Sequence, residues 1–184
     1  MSAFSLFASL PNLITLARLA MVPLIISMIV LPNWLAAFLI FLAAGISDGV
    51  DGFLAKRFNL QTELGAFLDP VADKALLVSI YVALAITGEI PAVIAILVVS
   101  RDVMIVGAFV TAWAMDKPMQ VRPHVISKAN TAAQITLAAA ILGIQAFNLT
   151  IGEWFYFTLY TGVAVLSLAS LAIYFVQWLR HMEI

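Results

Sequence analysis

Four aspartates flank one short polar turn of a chain that is otherwise strongly apolar. They lie in Ser47-Asp48-Gly49-Val50-Asp51-Gly52-Phe53-Leu54-Ala55-Lys56-Arg57 and, past the turn, in Gly65-Ala66-Phe67-Leu68-Asp69-Pro70-Val71-Ala72-Asp73-Lys74. Asp48 and Asp51 are three positions apart and Asp69 and Asp73 four, so on helices each pair occupies one face. Two antiparallel helices joined by a short connection bring both pairs to similar depth, where they can converge. An unpaired carboxylate in hydrocarbon costs about 2.5–3.5 kcal/mol on insertion scales, so four together call for compensating charge. Divalent cations supply it. Hard carboxylate oxygens with no thiolate or imidazole nearby suit Mg2+ or Mn2+, and Ca2+ could also bind. Two ions sharing a bridging aspartate suit displacement at a phosphorus centre. The competing chemistry is an ion or proton pathway without a reaction. It is disfavoured because the acids gather at one boundary, and no inverted repeat with broken helices is visible.

Small residues accompany the acids. Gly45 and Gly49 conform to the small-xxx-small pattern of close helix packing. Gly52 and Ala55 stand past the Asp48–Asp51 pair toward the polar turn, where a nucleotide diphosphate bridging to the metals needs room.

The elements that must position these residues follow from composition. Of 184 residues 64% are hydrophobic and 10% charged, with mean hydropathy +1.10; soluble domains carry about 25% charged residues. A single membrane domain spanning 1–184 is expected. A spanning helix needs about 20 apolar residues, and six segments qualify, at roughly 11–30, 33–56, 66–86, 91–115, 128–148 and 154–179. The fold class is therefore all-α integral membrane with six transmembrane helices. Pro32-Asn33, Lys56 to Glu63, Thr87-Gly88 with Pro91, Asp116 to Pro123 and Asn148 to Glu153 punctuate the breaks. The long unbroken apolar runs reject a β-barrel. Arg18 falls inside the first segment, either snorkelling to headgroups or facing lipid phosphates.

The second and fourth connections hold Lys56, Arg57, Lys117 and Arg122, and the carboxyl end holds Arg180; the other connections have no Lys or Arg. By the positive-inside rule, both termini and the aspartates face the cytoplasm, with Glu89 and Glu153 opposite. A bacterial inner membrane is the expected location. The first segment lacks a basic start and a cleavage site, so it is not expected to be a removed signal. A net charge of −1 without a basic run gives no reason to expect nucleic acid. With no cysteine and two histidines, His124 and His181, disulfides and ordinary zinc sites are excluded or nearly so.

Asp-x2-Asp-Gly-x2-Ala followed by Gly-x3-Asp-x3-Asp resembles the signature of the CDP-alcohol phosphatidyltransferases, with Asp48, Asp51, Gly52, Ala55, Gly65, Asp69 and Asp73 at the family's spacing. The resemblance implies the six-helix fold, with Asp48, Asp51 and Asp69 as ligands of two Mg2+ or Mn2+ ions. Asp73 would lie at the same metals and act as general base. It also implies that Gly52, Ala55, Lys56 and Gly65 contact the CDP-lipid, and that the enzyme is a homodimer. Lys56 stands where the family usually has Arg, and Arg57 follows it; a lysine offers a point charge in place of a bidentate fork.

Pro11-Asn12-Leu13-Ile14-Thr15-Leu16-Ala17-Arg18 is similar to the amino-terminal segment of bacterial phosphatidylglycerophosphate synthases. Ser100-Arg101-Asp102-Val103-Met104 and Val125-Ile126-Ser127-Lys128-Ala129-Asn130-Thr131-Ala132-Ala133-Gln134 resemble the cardiolipin synthases of mitochondrial type more closely. The family's glycerol 3-phosphate enzymes usually show Arg-Glu where this chain has Arg101-Asp102. The implied donor is CDP-diacylglycerol, and the implied acceptor is phosphatidylglycerol, with glycerol 3-phosphate as the alternative. Arg101, Lys128 and Arg122 are candidates for a basic acceptor pocket. Against this, Arg122 fits plain positive-inside topology and Arg101 could pair with its neighbours. Lys74 is read as an interfacial cation.

Overall fold

The computed structural model describes the backbone of residues 3–58, 63–114 and 125–182, and the side chains of residues 15–50, 72–108, 111 and 125–181. It is all-helical over the described residues. The elements are α1 (Ala3–Val30), α2 (Trp34–Phe58), α3 (Glu63–Ile86), α4 (Ala92–Ala114), α5 (Val125–Ala146) and α6 (Glu153–Met182). Each expected segment is thus a helix, with shifted ends. Helix α1 begins eight residues before the expected start and runs through Pro11. Proline removes one N–H and crowds one carbonyl, a local cost that a helix in an apolar setting tolerates when the rest of its ladder holds. Helix α5 begins at Val125, three residues earlier than expected.

Helices α5 and α6 have spans, Val125–Ala146 and Glu153–His181, long and apolar enough to cross a membrane. Helices α1 and α2 contribute shorter apolar stretches, Thr15–Val30 and Trp34–Val50. Asp48 in α2, Asp73 and Lys74 in α3, and Arg101 and Asp102 in α4 are the charged residues within the described parts of those helices.

Helix ends are set by local chemistry. Helix α3 closes with Gly88 at φ +82°. Its N–H donates to the Ala85 carbonyl at 3.2 Å, and Glu89 N–H donates to Leu84 at 2.9 Å. This paired closure needs a left-handed residue, which glycine adopts without a Cβ clash. Asn148, at φ 51°, closes α5 the same way: Leu149 N–H reaches the Ile144 carbonyl at 3.0 Å. Asn33 caps α2, its Oδ1 accepting from Ala36 N–H at 3.4 Å.

Helix α1 packs on α2 and α3, α5 packs on α2, α3 and α6, and α4 packs on α3 and α6. Ile25, Ile29, Phe41, Ile80, Leu84, Val98, Leu137, Ile141 and Val163 form the shared core. The Phe38 ring packs on α5 at Gly143, where a Cβ would meet its Cε2 at 3.4 Å, an ordinary van der Waals contact. Helices α1 and α5 do not pack on each other among the described residues, and α2 and α3 touch both. A largely apolar cavity with charged groups in its lining lies between them.

Candidate active site

The cavity has a volume of about 370 Å3. Asp48 from α2, Asp73 and Lys74 from α3, Arg18 from α1, Asp102 from α4 and Gln134 from α5 all line it. Five helices therefore converge at the level of the aspartates. Phe41, Leu76, Leu77 and Ile135 form its apolar wall. Phe41 lies about two turns before Asp48 along α2, and Leu77 one turn past Asp73 along α3, so the apolar wall extends away from the polar α2–α3 turn.

Arg18 is the electrostatic centre. Its side chain is 1% exposed, and Nη1 lies 2.9 Å from Asp48 Oδ1 while also donating to Asp73 Oδ1. One nitrogen thus joins carboxylates from two consecutive helices. The guanidinium is buried between two acids, a pairing that neither role expected for Arg18 includes. Removing a charge from water is costly unless it is paired, and the two carboxylates supply that pairing. Nε and Nη2 of Arg18 are buried without a hydrogen-bond partner.

Helical continuation places Asp51 one turn beyond Asp48 on α2 and Asp69 one turn before Asp73 on α3. The side chains of Asp51, Gly52, Ala55, Lys56, Gly65 and Asp69, and Arg122 altogether, lie outside the described residues. Among the described residues no three carboxylates or imidazoles gather into one cluster. The donor chemistry nevertheless suits a hard cation. Asp48 and Asp73 present oxygens close enough to share one positive group, both carboxylates remain about half exposed, at 49% and 46%, and oxygen donors of this kind are those Mg2+ and Mn2+ take.

Arg101 and Asp102 form a second charged group, on α4. Asp102 Oδ1 receives Arg101 Nη1 at 2.6 Å and Lys74 Nζ at 2.7 Å. Lys74, expected to be an interfacial cation, is thus tied to a buried acid at the cavity. Arg101, 3% exposed, donates from Nη2 to Ser127 Oγ at 2.5 Å and to Ser170 Oγ at 2.8 Å. Its guanidinium carbon lies 5.8 Å from the centroid of the Tyr174 ring. It therefore joins α4 to α5 and α6, and Lys128 is exposed on α5. Arg101 and Lys128 do not share the cavity that holds Asp48 and Asp73.

The sequence is matched over residues 8–176 by the family model for CDP-alcohol phosphatidyltransferase. The chain belongs to the CDP-alcohol phosphatidyltransferase family. This membrane-bound family includes similar proteins from distant organisms. The cardiolipin synthase (CMP-forming) of Rattus norvegicus is 33% identical over 156 residues, covering 76% of this chain and 52% of the relative. The CDP-diacylglycerol–glycerol-3-phosphate 3-phosphatidyltransferase of Bacillus subtilis is 32% identical over 149 residues, covering 73% and 76%. The chloroplastic enzyme of the same name from Oryza sativa is 35% identical over 154 residues, covering 74% and 46%. The chain spans about half the length of the rat and rice relatives.

Three participants escaped sequence reading: the Arg18 bridge, the Lys74–Asp102 pair and Gln134. A signal existed for the first two. An arginine in an apolar segment and an aspartate inside a fourth apolar helix each require a partner, and the candidates were few. Gln134, being neutral, gives no such signal.

Proposed function

We propose that this chain transfers a phosphatidyl group from CDP-diacylglycerol to the primary hydroxyl of phosphatidylglycerol, releasing CMP and forming cardiolipin. The observation that carries the reading is the convergence of Asp48 and Asp73 on one buried cation at a cavity, in a chain whose aspartate spacing and family membership agree. The active site faces the cytoplasm between six membrane-crossing helices, as the Lys and Arg distribution supports.

Asp48, Asp51, Asp69 and Asp73 would hold two Mg2+ or Mn2+ ions, which when bound neutralise the pyrophosphate and the charge developing on departing CMP. The residues of the chain do the rest. Gly52, Ala55 and Gly65 leave room for the nucleotide, and Lys56 meets a donor phosphate. Arg18 keeps Asp48 and Asp73 in register and offers Nε and Nη2 to a phosphate oxygen. The Asp73 carboxylate accepts the proton of the incoming hydroxyl. The acceptor oxygen bonds to the phosphorus of the phosphatidyl group as the anhydride bond to CMP breaks, so the charges and the proton balance.

Two features support a lipid acceptor. The cavity has an apolar wall leading away from the polar turn. Its described ionisable lining also has two cations, Arg18 and Lys74, against three carboxylates, Asp48, Asp73 and Asp102, a poor balance for a small dianion. The similarity to the Bacillus and rice enzymes favours a second reading, with glycerol 3-phosphate as acceptor and Arg101, Lys128 and Arg122 as the candidate basic groups. CMP release by the purified chain with CDP-diacylglycerol and Mg2+ or Mn2+, with each acceptor in turn, separates them. Release with phosphatidylglycerol is expected; release with glycerol 3-phosphate alone would transfer the assignment.

A further inference from the structure

Gln134 is 1% exposed, and its Nε2 is buried without a hydrogen-bond partner. Leaving a buried donor unsatisfied costs about 1–3 kcal/mol, so this amide is an unexpected feature of a wall otherwise built from Ile135, Leu76 and Phe41. The backbone that carries it is held in place. Tyr81 on α3 donates its hydroxyl to the backbone carbonyl of Gln134 at 3.0 Å, tying α5 to α3 at this turn. Among the other polar groups of the described lining, Arg18 Nη1 is engaged with Asp48 and Asp73, Lys74 with Asp102, and the Thr131 hydroxyl with the Ser127 carbonyl at 3.2 Å, while Arg18 Nε and Nη2, like the Gln134 amide, have no hydrogen-bond partner.

Arg18 and Gln134 come from helices that do not pack on each other, with Asp48 and Asp73 on the two helices that touch both. A substrate between them meets a cation on the α1 side and a neutral donor on the α5 side. The cation suits a phosphate. The neutral, directional N–H suits an oxygen that carries no charge, near the Asp73 carboxylate.

We infer that Gln134 is a positioning residue for the acceptor, donating from Nε2 to the secondary hydroxyl adjacent to the primary hydroxyl that reacts. This rests on the transferase reading above and adds a determinant of acceptor structure to it. The ligand chemistry is a glycerol end with two neighbouring hydroxyls, which phosphatidylglycerol and glycerol 3-phosphate both present.

The test compares each acceptor with its analogue lacking the secondary hydroxyl: phosphatidylglycerol with phosphatidyl-1,3-propanediol, and glycerol 3-phosphate with 3-hydroxypropyl phosphate. CMP release is measured with full-length wild type and Gln134→Leu in the same detergent. In the arm that supports turnover, wild type should lose about tenfold in kcat/KM on the deoxy acceptor, the scale of one hydrogen bond. Gln134→Leu should show a similar loss on the natural acceptor and little additional loss on the analogue, with the KM for CDP-diacylglycerol unchanged. Equal use of both acceptors by wild type would overturn the inference, and that arm needs no folded variant. An equal loss by Gln134→Leu on both acceptors would also overturn it, assigning the amide to packing. No CMP release by wild type with any acceptor would instead overturn the transferase reading beneath it.

Discussion

At the residue scale the site depends on charge neutralisation in a region that resists charge. Arg18 illustrates the balance, because its buried guanidinium is tolerated through two carboxylates that are each half exposed. Arg18→Gln should therefore destabilise the protein by about 1–3 kcal/mol, less than the 3–5 kcal/mol of breaking a fully buried pair, since solvent can recover part of the carboxylate charge. A thermal-unfolding series in one detergent checks this, and an unchanged midpoint would show that the bridge contributes nothing. Lys56 makes a kinetic prediction. If its ammonium meets a donor phosphate, Lys56→Ala should raise the KM for CDP-diacylglycerol several-fold more than it lowers kcat. An unchanged KM would remove Lys56 from the donor site. The aspartates were legible in the sequence because charge in an apolar run stands out and their spacing put them on helix faces. The partners of Arg18 and Lys74 were not, because which cation meets which acid depends on how helices pack, and spacing along one helix says nothing of its neighbours.

At the scale of elements, the six helices are legible because apolar length and punctuation are strong one-dimensional signals, whereas how many of them cross the membrane is a matter for the labelling below. Their ends moved, most at α1, where Pro11 had suggested a start that the backbone runs through. The hydrogen bonds between helices were hidden in the sequence for the same reason as the ion pairs. Arg101 shows their consequence: one guanidinium joins α4 to Ser127 on α5 and Ser170 on α6, and packs near Tyr174. A lysine has neither the planar fork nor the reach to serve both hydroxyls. Arg101→Lys should lower stability by about 1–3 kcal/mol, whereas Ser170→Ala should cost about 0.6 kcal/mol, the average for a polar contact between membrane helices. Unfolding midpoints in detergent rank the two variants. A larger loss from Ser170→Ala would show that Arg101 is not the organising group of this junction.

For the whole molecule, the proposed function requires the aspartate end of the bundle to face the compartment that supplies CDP-lipid headgroups and receives CMP. The chain contains no cysteine, so single cysteines report sidedness directly. A cysteine replacing Arg57 should react with a membrane-impermeant maleimide only from the cytoplasmic face, and one replacing Asn148 only from the opposite face. Labelling of both from one face would contradict an odd number of crossings between them and with it the six-span topology. Composition made membrane residence legible, and these labels test the orientation expected from the Lys and Arg distribution. The cavity between α1 and α5 was not legible, because it arises from two helices that do not pack on each other, a relation without a trace in local sequence.

The claim common to all three scales is that the aspartates at the α2–α3 connection perform phosphatidyl transfer. CMP release from CDP-diacylglycerol, with Mg2+ or Mn2+ and phosphatidylglycerol, should be compared between wild type and Asp73→Asn reconstituted at equal amounts in the same vesicles. The amide keeps the size of the carboxylate but neither holds a metal comparably nor accepts the hydroxyl proton. Wild type should turn over, and the variant should insert to the same extent and lose at least about 100-fold in kcat, the lower range for losing a general base. Undiminished CMP release by Asp73→Asn would contradict the assignment of the site.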